Sequence, residues 1–283
     1  MTPRRLLARA IEELQSCGCA TPRLDAELLL AHALGKSRSW LIAHADDTLQ
    51  DGDITRFEAM QARRIRREPL AYITGEKEFW SRPFHVTPDV LIPRPETEHL
   101  IEAVLKRFPE QQAAYAFCDI GTGSGCIAVT LACEYPRAHV TATDISPGAL
   151  AVARLNAERH GVSERMNFLQ GNLFAALGNG RDRSKAATPF DAIVSNPPYV
   201  GEQEIPGLEP ELDFEPRHAL SDGQDGLSYL CQLVDEAGNW LTPHGLLIVE
   251  TGLCGLPDDG RGLRLQSPIT DLAGLLRGGI YGR

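Results

Sequence analysis

Residues 117–129 read FCDIGTGSGCIAV: an apolar run, a turn with glycine at 121, 123 and 125, and a second apolar run. No other stretch narrows the choice of fold so much. Glycine is needed where backbone turns with positive φ or approaches a ligand without a Cβ in between. A strand feeding such a turn and then a helix is the opening unit of an open α/β sheet. The chain from about residue 99 onward agrees. Apolar segments AYAFCDI, HVTATDI, MNFLQ, FDAIVSN and GLLIVE alternate with segments of helical spacing. That order predicts a parallel sheet covered on both faces.

The first 74 residues read differently. Leu6, Leu7, Ala10, Ile11 and Leu14 fall at helical spacing. Pro22 opens a second helix with Ala26, Leu29, Leu30 and Ala33 on one face and Gly35 as its stop. Ser37 caps a third. A fourth carries Ile54, Phe57, Met60, Ala62 and Ile65 and ends in the basic run RRIRRE. That run reads as a solvated helix face or as a contact for an acidic or ribosome-bound partner. Residues 75–98 are richer in proline and aromatics. The alternation around Phe79, Phe84 and Val86 predicts a β-hairpin there. The expected division is a small helical bundle over 1–74, a hairpin linker over 75–98 and an α/β domain over 99–283. The polar segment 178–189 is expected to be a flexible loop.

The glycine turn is not the dinucleotide fingerprint. G-x-G-x-x-G from Gly121 would require glycine at 126, where Cys126 stands. Asp119 just before the turn disfavours a phosphate and suits a cation. A ligand with an ammonium, a carboxylate and a nucleoside, but no phosphate, fits, and S-adenosylmethionine is such a ligand. Asp144 ends the second strand and can accept both ribose hydroxyls, as the acidic residue does in dinucleotide folds. It also stands before Pro147, where it could merely sit at a helix N-terminus. Asn172 ends the third strand and could accept a bond from the adenine amino group, with Leu173 and Phe174 over the ring.

The fourth strand ends in VSNPPYV (194–200), which lands beside the ligand because open α/β sheets bind at the carboxyl ends of their strands. Each proline fixes its own φ, restricts the residue before it and lacks an N–H. The Asn196 side-chain oxygen and the Pro197 carbonyl are then two fixed acceptors for the hydrogens of a planar –NH2. Tyr199 could stack on that group. Catalysis of this kind is positioning plus electrostatic stabilisation, with no strong base. The substrate is expected to be a neutral amide or an exocyclic amine.

Charge bears on the choice between these two without deciding it, because a local basic face can sit inside an acidic total. The net charge is −10, yet residues 1–70 are close to balanced, so the negative excess lies in the α/β part. A protein acting on duplex DNA would normally show a basic footprint there. No apolar run approaches the roughly 18–20 residues of a membrane span, and no signal-peptide pattern opens the chain. A cytoplasmic location is expected. The seven cysteines show no disulfide or zinc spacing. They read as reduced thiols, and no metal is expected.

LIPRPETE (91–98), FCDIGTGSGCIAV, TDISPGAL, GNLF, VSNPPYV and FEPRHALSDGQDGLSYL (214–230) together resemble the release-factor glutamine methyltransferases, the PrmC/HemK family. The resemblance runs from the N-terminal helices to about Gly252. It implies a class I S-adenosylmethionine-dependent methyltransferase domain, Rossmann-like, preceded by a helical domain that recognises the release factor. The implied reaction methylates N5 of the glutamine in the Gly-Gly-Gln loop of peptide-chain release factors and releases S-adenosylhomocysteine. Gly121, Thr122, Gly123, Ser124, Gly125 and Asp144 would bind the cofactor, with Asn172 and Leu173 at the adenine. Asn196 would touch cofactor and substrate, and Pro197, Pro198 and Tyr199 would cradle the amide. Arg94, Glu96 and Thr97 would line the site near the methionine end. A monomer with no nucleic-acid partner is expected. The alternatives are an adenine-N6 methyltransferase using the same NPPY grip, or an inactive cofactor-binding homologue.

The chain departs from the family in two places. Asn172 stands where the family usually has Asp, keeping an acceptor but losing a charge. After Gly252 the family's helix is replaced by GLCGLPDDGRGLRLQSP, whose four glycines and two prolines are poor helix material. Residues 255–268 are therefore expected to be atypical, poorly ordered and unable to cover part of the sheet.

Overall fold

Capping residues set the helices of the N-terminal part. Thr2 caps α1 (Pro3–Ser16), and Pro22 is the first residue of α2 (Pro22–Leu34). The Ser37 hydroxyl accepts the Trp40 N–H at 3.2 Å and starts α3 (Arg38–Ala43). Two more helices follow, α4 (Asp51–Ile65) and α5 (Leu70–Thr74). Leu6, Leu14, Leu29, Leu30 and Phe57 are fully buried among them. Burying each such side chain contributes about 1.5–3 kcal/mol.

The computed structural model describes residues 1–178 and 189–283. The expected loop at 178–189 therefore lies almost wholly outside the described residues. The chain divides into two compact units. One comprises Met1–Glu76 together with Glu209–Phe214, and the other Lys77–Leu208 together with Glu215–Arg283. The basic run belongs to the first unit and corrects both readings made of it. Arg64 is buried, its Nε 2.7 Å from Asp25 Oδ2 and its Nη2 2.9 Å from Glu211 Oε1. Arg67 makes two bonds to the Glu211 carboxylate, at 2.6 and 2.9 Å. Arg63 pairs with Glu68. Three of the four arginines are ion-pair partners within the unit: Arg64 and Arg67 meet the buried Asp25 and the half-buried Glu211, and Arg63 meets Glu68.

The second unit begins with a two-stranded hairpin of β1 (Glu76–Phe79) and β2 (Arg82–His85), then α6 (Glu98–Arg107). From there β3 (Ala116–Ile120), α7 (Cys126–Glu134), β4 (His139–Asp144), α8 (Pro147–Arg159), β5 (Met166–Gln170) and β6 (Phe190–Ser195) alternate. The chain continues through α9 (Arg217–Leu220), α10 (Ser228–Glu236), β7 (Leu241–Glu250), β8 (Arg264–Thr270) and β9 (Leu276–Gly282). One seven-stranded sheet results, in the order β5-β4-β3-β6-β7-β9-β8. The first five strands are parallel, and β9 is antiparallel to both its neighbours.

Alternation along each strand sends side chains to two cores. Phe117, Ala192, Val194 and Ile248 face the layer containing Leu100, Val104 and Val129. Cys118, Ile193, Leu247 and Val249 face Leu230, Leu233 and Trp240. Strand order reverses between β3 and β6, which is where such sheets bind ligands.

The tail corrects one expectation. Residues 251–263 form no helix, and β8 starts at Arg264, inside the stretch expected to be irregular. The sheet is nevertheless covered there. Leu263 is fully buried, Leu256 packs on the same core, and the Tyr281 hydroxyl donates to the Pro257 carbonyl at 2.8 Å. At Gly260 a Cβ would lie 2.6 Å from Val234 Cγ1. Glycine there lets bare backbone lie against Val234 of α10.

Candidate active site

The site is assembled by register. Ile120 pairs with Ser195, so the glycine turn after β3 and Asn196 after β6 start side by side. Asp144 pairs with Gln170, which brings Asn172 close to the end of β4. A cavity of about 420 Å³ opens at these strand ends, within the usual range for small-molecule sites.

Gly121, Gly123 and Gly125 all have positive φ, at 74°, 53° and 81°. The N–H groups of Gly121 and Thr122 both donate to the Thr143 carbonyl at 2.9 Å, fastening the turn to β4. Asp119 lies beneath it, fully buried. Its Oδ2 accepts the Thr122 hydroxyl at 2.6 Å and the Ala128 N–H at 3.2 Å, while Oδ1 is buried without a partner among the described residues. Burial pushes its carboxyl up to about 7 against those two bonds. Asp144 accepts the Gly123 N–H on one oxygen and the Ser146 N–H on the other, each at 2.9 Å. A carboxylate has about four lone-pair sites, so two remain for a diol.

Gly121, Thr122, Gly123 and Ser124 line the cavity with Asp144, Asn172 and Leu173. Gly125 does not; its Cβ would lie 3.1 Å from Ala153 Cα, so its role is close packing of α7 on α8. Leu173 has φ 46°, a left-handed conformation that costs a branched L-residue about 1–2 kcal/mol. Strain of this kind gathers at ligand sites. Leu173 and the half-exposed Ile145 supply apolar walls. Phe174 does not: it is buried and stacks on Trp240, centroids 6.3 Å apart. The residues present fit S-adenosylmethionine. The turn offers backbone without side chains, Asp144 offers diol acceptors, and a buried acid behind the turn disfavours phosphate.

Asn196, Pro197 and Pro198 line the same cavity, as do Arg94 and Thr97. The Asn196 Nδ2 donates to Thr97 Oγ1 at 3.0 Å. Its nitrogen is thereby committed, and its oxygen is the end left for an incoming N–H. Tyr199 and Glu96 are not on the cavity wall. The Tyr199 hydroxyl donates to Glu250 Oε1 at 2.8 Å, and its ring lies against Gly252, where a Cβ would come within 2.6 Å of Cδ2. Burial, then the adjacent Glu250, raise the Tyr199 hydroxyl far above its ordinary range.

Known proteins are similar to this chain over most of its length. Residues 5–75 match the PrmC N-terminal domain family and residues 97–209 the methyltransferase small domain family. The release factor glutamine methyltransferase of Nitratidesulfovibrio vulgaris is 44% identical over 252 residues, covering 89% of this chain and 82% of that one. The chain belongs to the release factor glutamine methyltransferase family. The Koribacter versatilis member is 43% identical over 253 residues, covering 89% and 87%. The Escherichia coli member is 38% identical over 246 residues, covering 87% and 84%.

In this member of the family, several site residues escaped sequence reasoning. Asp89, His218, Ala219 and Tyr229 line the cavity. Glu215 is buried behind it, accepting the Ile92 N–H at 2.9 Å and Arg94 Nη2 at 2.5 Å, which holds Arg94 at the wall. Its signal was the EP pair of FEPRHAL, which carries no chemistry until the fold brings it to RPETE. Glu250, at the end of β7, was hidden as the last residue of an apolar strand.

Proposed function

We propose that this protein transfers the methyl group of S-adenosylmethionine to the side-chain amide nitrogen of the glutamine in the Gly-Gly-Gln loop of peptide-chain release factors. The observation that carries the reading is the Asn196–Thr97 bond, which leaves the Asn196 oxygen as an acceptor in the cavity that the glycine turn and the rigid Pro-Pro backbone also line. When bound, S-adenosylmethionine supplies an electrophilic methyl group and leaves as S-adenosylhomocysteine. Asp144 holds the ribose, Asn172 and Leu173 meet the adenine, and the turn from Gly121 to Ser124 holds the methionine part. The Asn196 Oδ1 and the Pro197 carbonyl accept the two amide hydrogens. That grip aims the nitrogen and stabilises the positive charge that grows on it. Once the new N–C bond has formed, the cationic nitrogen is strongly acidic and its proton passes to solvent water.

Membership of the family supports a protein substrate, and the acidic α/β part disfavours a nucleic acid. The helical unit, which matches the family's N-terminal domain, is the release-factor-recognition part in this reading. Among the described residues no helix is long and apolar enough to cross a membrane, and a cytoplasmic location fits a partner that works at the ribosome. The test is methyl transfer to purified release factor, to its Gln→Ala loop variant and to adenine-containing DNA, read by mass spectrometry. One methyl group on the release factor and none on the variant or the DNA is expected. Methylation of the DNA alone would overturn the reading.

A further inference from the structure

Charge lines the cavity unevenly. Asp89 and Asp144 stand on its wall, and among the described residues Arg94 is the one arginine or lysine there. S-adenosylmethionine carries a sulfonium, an ammonium and a carboxylate. Acids on the wall suit the first two and repel the third, and a carboxylate taken out of water needs donors or a cation. Strand order says where it arrives. Asn172, Asp144, the glycine turn and Asn196 follow β5, β4, β3 and β6, which are neighbours in that order. With the ribose at Asp144, the methionine chain runs toward the β6 end. Arg94 belongs to that end, because Thr97, three residues on, accepts the Asn196 Nδ2 at 3.0 Å.

The Arg94 side chain is held from behind. Its backbone is extended, φ −100° and ψ 144°, and stands between Pro93 and Pro95, which restrict it on both sides. Glu215 supplies the rest of the grip. Its side chain is 2% exposed against 31% for Arg94. Its Oε2 accepts the Ile92 N–H at 2.9 Å and its Oε1 accepts Arg94 Nη2 at 2.5 Å, so both oxygens are engaged. A guanidinium has five N–H donors in a planar fork, and this bond uses one of them.

We infer that Glu215 is a positioning residue for the cofactor: it holds the Arg94 guanidinium so that the remaining N–H groups of the fork take the carboxylate of S-adenosylmethionine. A guanidinium on a flexible stem meets a carboxylate in many poses, and fixing it beforehand spares that ordering on binding. The planar fork then offers two parallel donors, the geometry a carboxylate accepts best. Glu215 itself acts only through Arg94.

The inference rests on the cofactor of the proposed reaction and not on its methyl acceptor. The test compares the affinity of S-adenosylmethionine with that of its decarboxylated form, which lacks only the carboxylate. Calorimetric titration without release factor gives both. Wild type is expected to prefer S-adenosylmethionine by about tenfold or more, the worth of one charge-assisted bond. Arg94→Ala is expected to remove most of that preference. Glu215→Ala is expected to lower it about threefold or more by weakening the carboxylate-bearing ligand alone. The double variant behaves as Arg94→Ala does. Glu215→Gln keeps one acceptor for Arg94 and is expected to fall between wild type and Glu215→Ala; it carries the comparison if Glu215→Ala does not fold. Equal weakening of both ligands would make Glu215 a structural prop and overturn the inference. So would a preference left intact in the Glu215 variants. A preference left intact in Arg94→Ala, with a raised KM for release factor, would assign Arg94 to the protein substrate and overturn it too. Wild type inactive on release factor overturns the proposed reaction, while the titrations still decide the role of Glu215.

Discussion

Asn196 and Asp144 sit on one cavity, and in the proposed reaction they do separate work that a substitution at each distinguishes. Asn196→Ala removes an acceptor that strengthens as charge grows on the attacking nitrogen, so kcat is expected to fall about 100-fold or more with little change in cofactor affinity. Asp144→Ala removes the charge-assisted bonds proposed to hold the cofactor; a single such bond is worth about 1.5–3 kcal/mol, so the affinity should fall at least roughly tenfold. Single-turnover rates beside calorimetric titration check both. Asp119 makes a pH prediction. Its folded pKa of about 7 lies above the ordinary 3.8. The native state therefore holds more protons than the unfolded chain between those values, and stability falls as pH rises through that window. Asp119→Asn abolishes that slope. The stability of the variant relative to wild type should increase by up to about 4 kcal/mol from acid to neutral pH, at 1.36 kcal/mol per unit. Urea midpoints at the two ends of the window measure it, and a parallel pair of pH profiles would contradict it.

The loops around Tyr199 show how whole elements converge on one side chain. Gly226 lies before α10 and Gly252 after β7. A Cβ at the first would fall 2.2 Å from the Tyr199 carbonyl oxygen, and one at the second 2.6 Å from its ring. The loop before α10 is wound on Asp222, whose carboxylate accepts the N–H groups of Gln224, Gly226 and Ser228. Gly252→Ala is expected to cost about 1–3 kcal/mol through overpacking and to break the Tyr199–Glu250 bond, lowering turnover as well as the melting temperature. An unchanged melting curve would show that the ring has room to move. These constraints mark the limit of what was legible in advance. The inner strands β3, β6 and β7 were readable because central strands are continuous apolar runs. The turn, Asp144 and Asn196 were readable because their neighbours in sequence carry the signal. β8 was not, because RLQSPIT has exposed polar residues and a proline that only an edge strand tolerates. β9 hid behind Gly278 and Gly279, where backbone crowds Val249 and Leu256. Glu215 and Glu250 act across 121 and 51 residues of chain, so only register reveals them.

At the scale of the molecule, the helical unit is closed by charge as well as by its apolar core. Arg64→Ala strands Asp25 as a buried acid without its cation and is expected to cost about 3–5 kcal/mol. Glu211→Ala leaves the Arg64–Asp25 pair standing and should cost less. Urea unfolding followed by circular dichroism ranks the two, and equal losses would mean that Asp25 finds another partner. Glu211 also bears on ancestry. The helical unit is written in two stretches of the gene, Met1–Glu76 and Glu209–Phe214. A recombination event with one breakpoint near residue 76 would bring in a foreign helical domain and leave behind an acid matched to the old one. Exchange of helical domains between lineages is thereby expected to be penalised. The first 76 residues and the strap beyond the NPPY motif are therefore expected to be inherited as a pair.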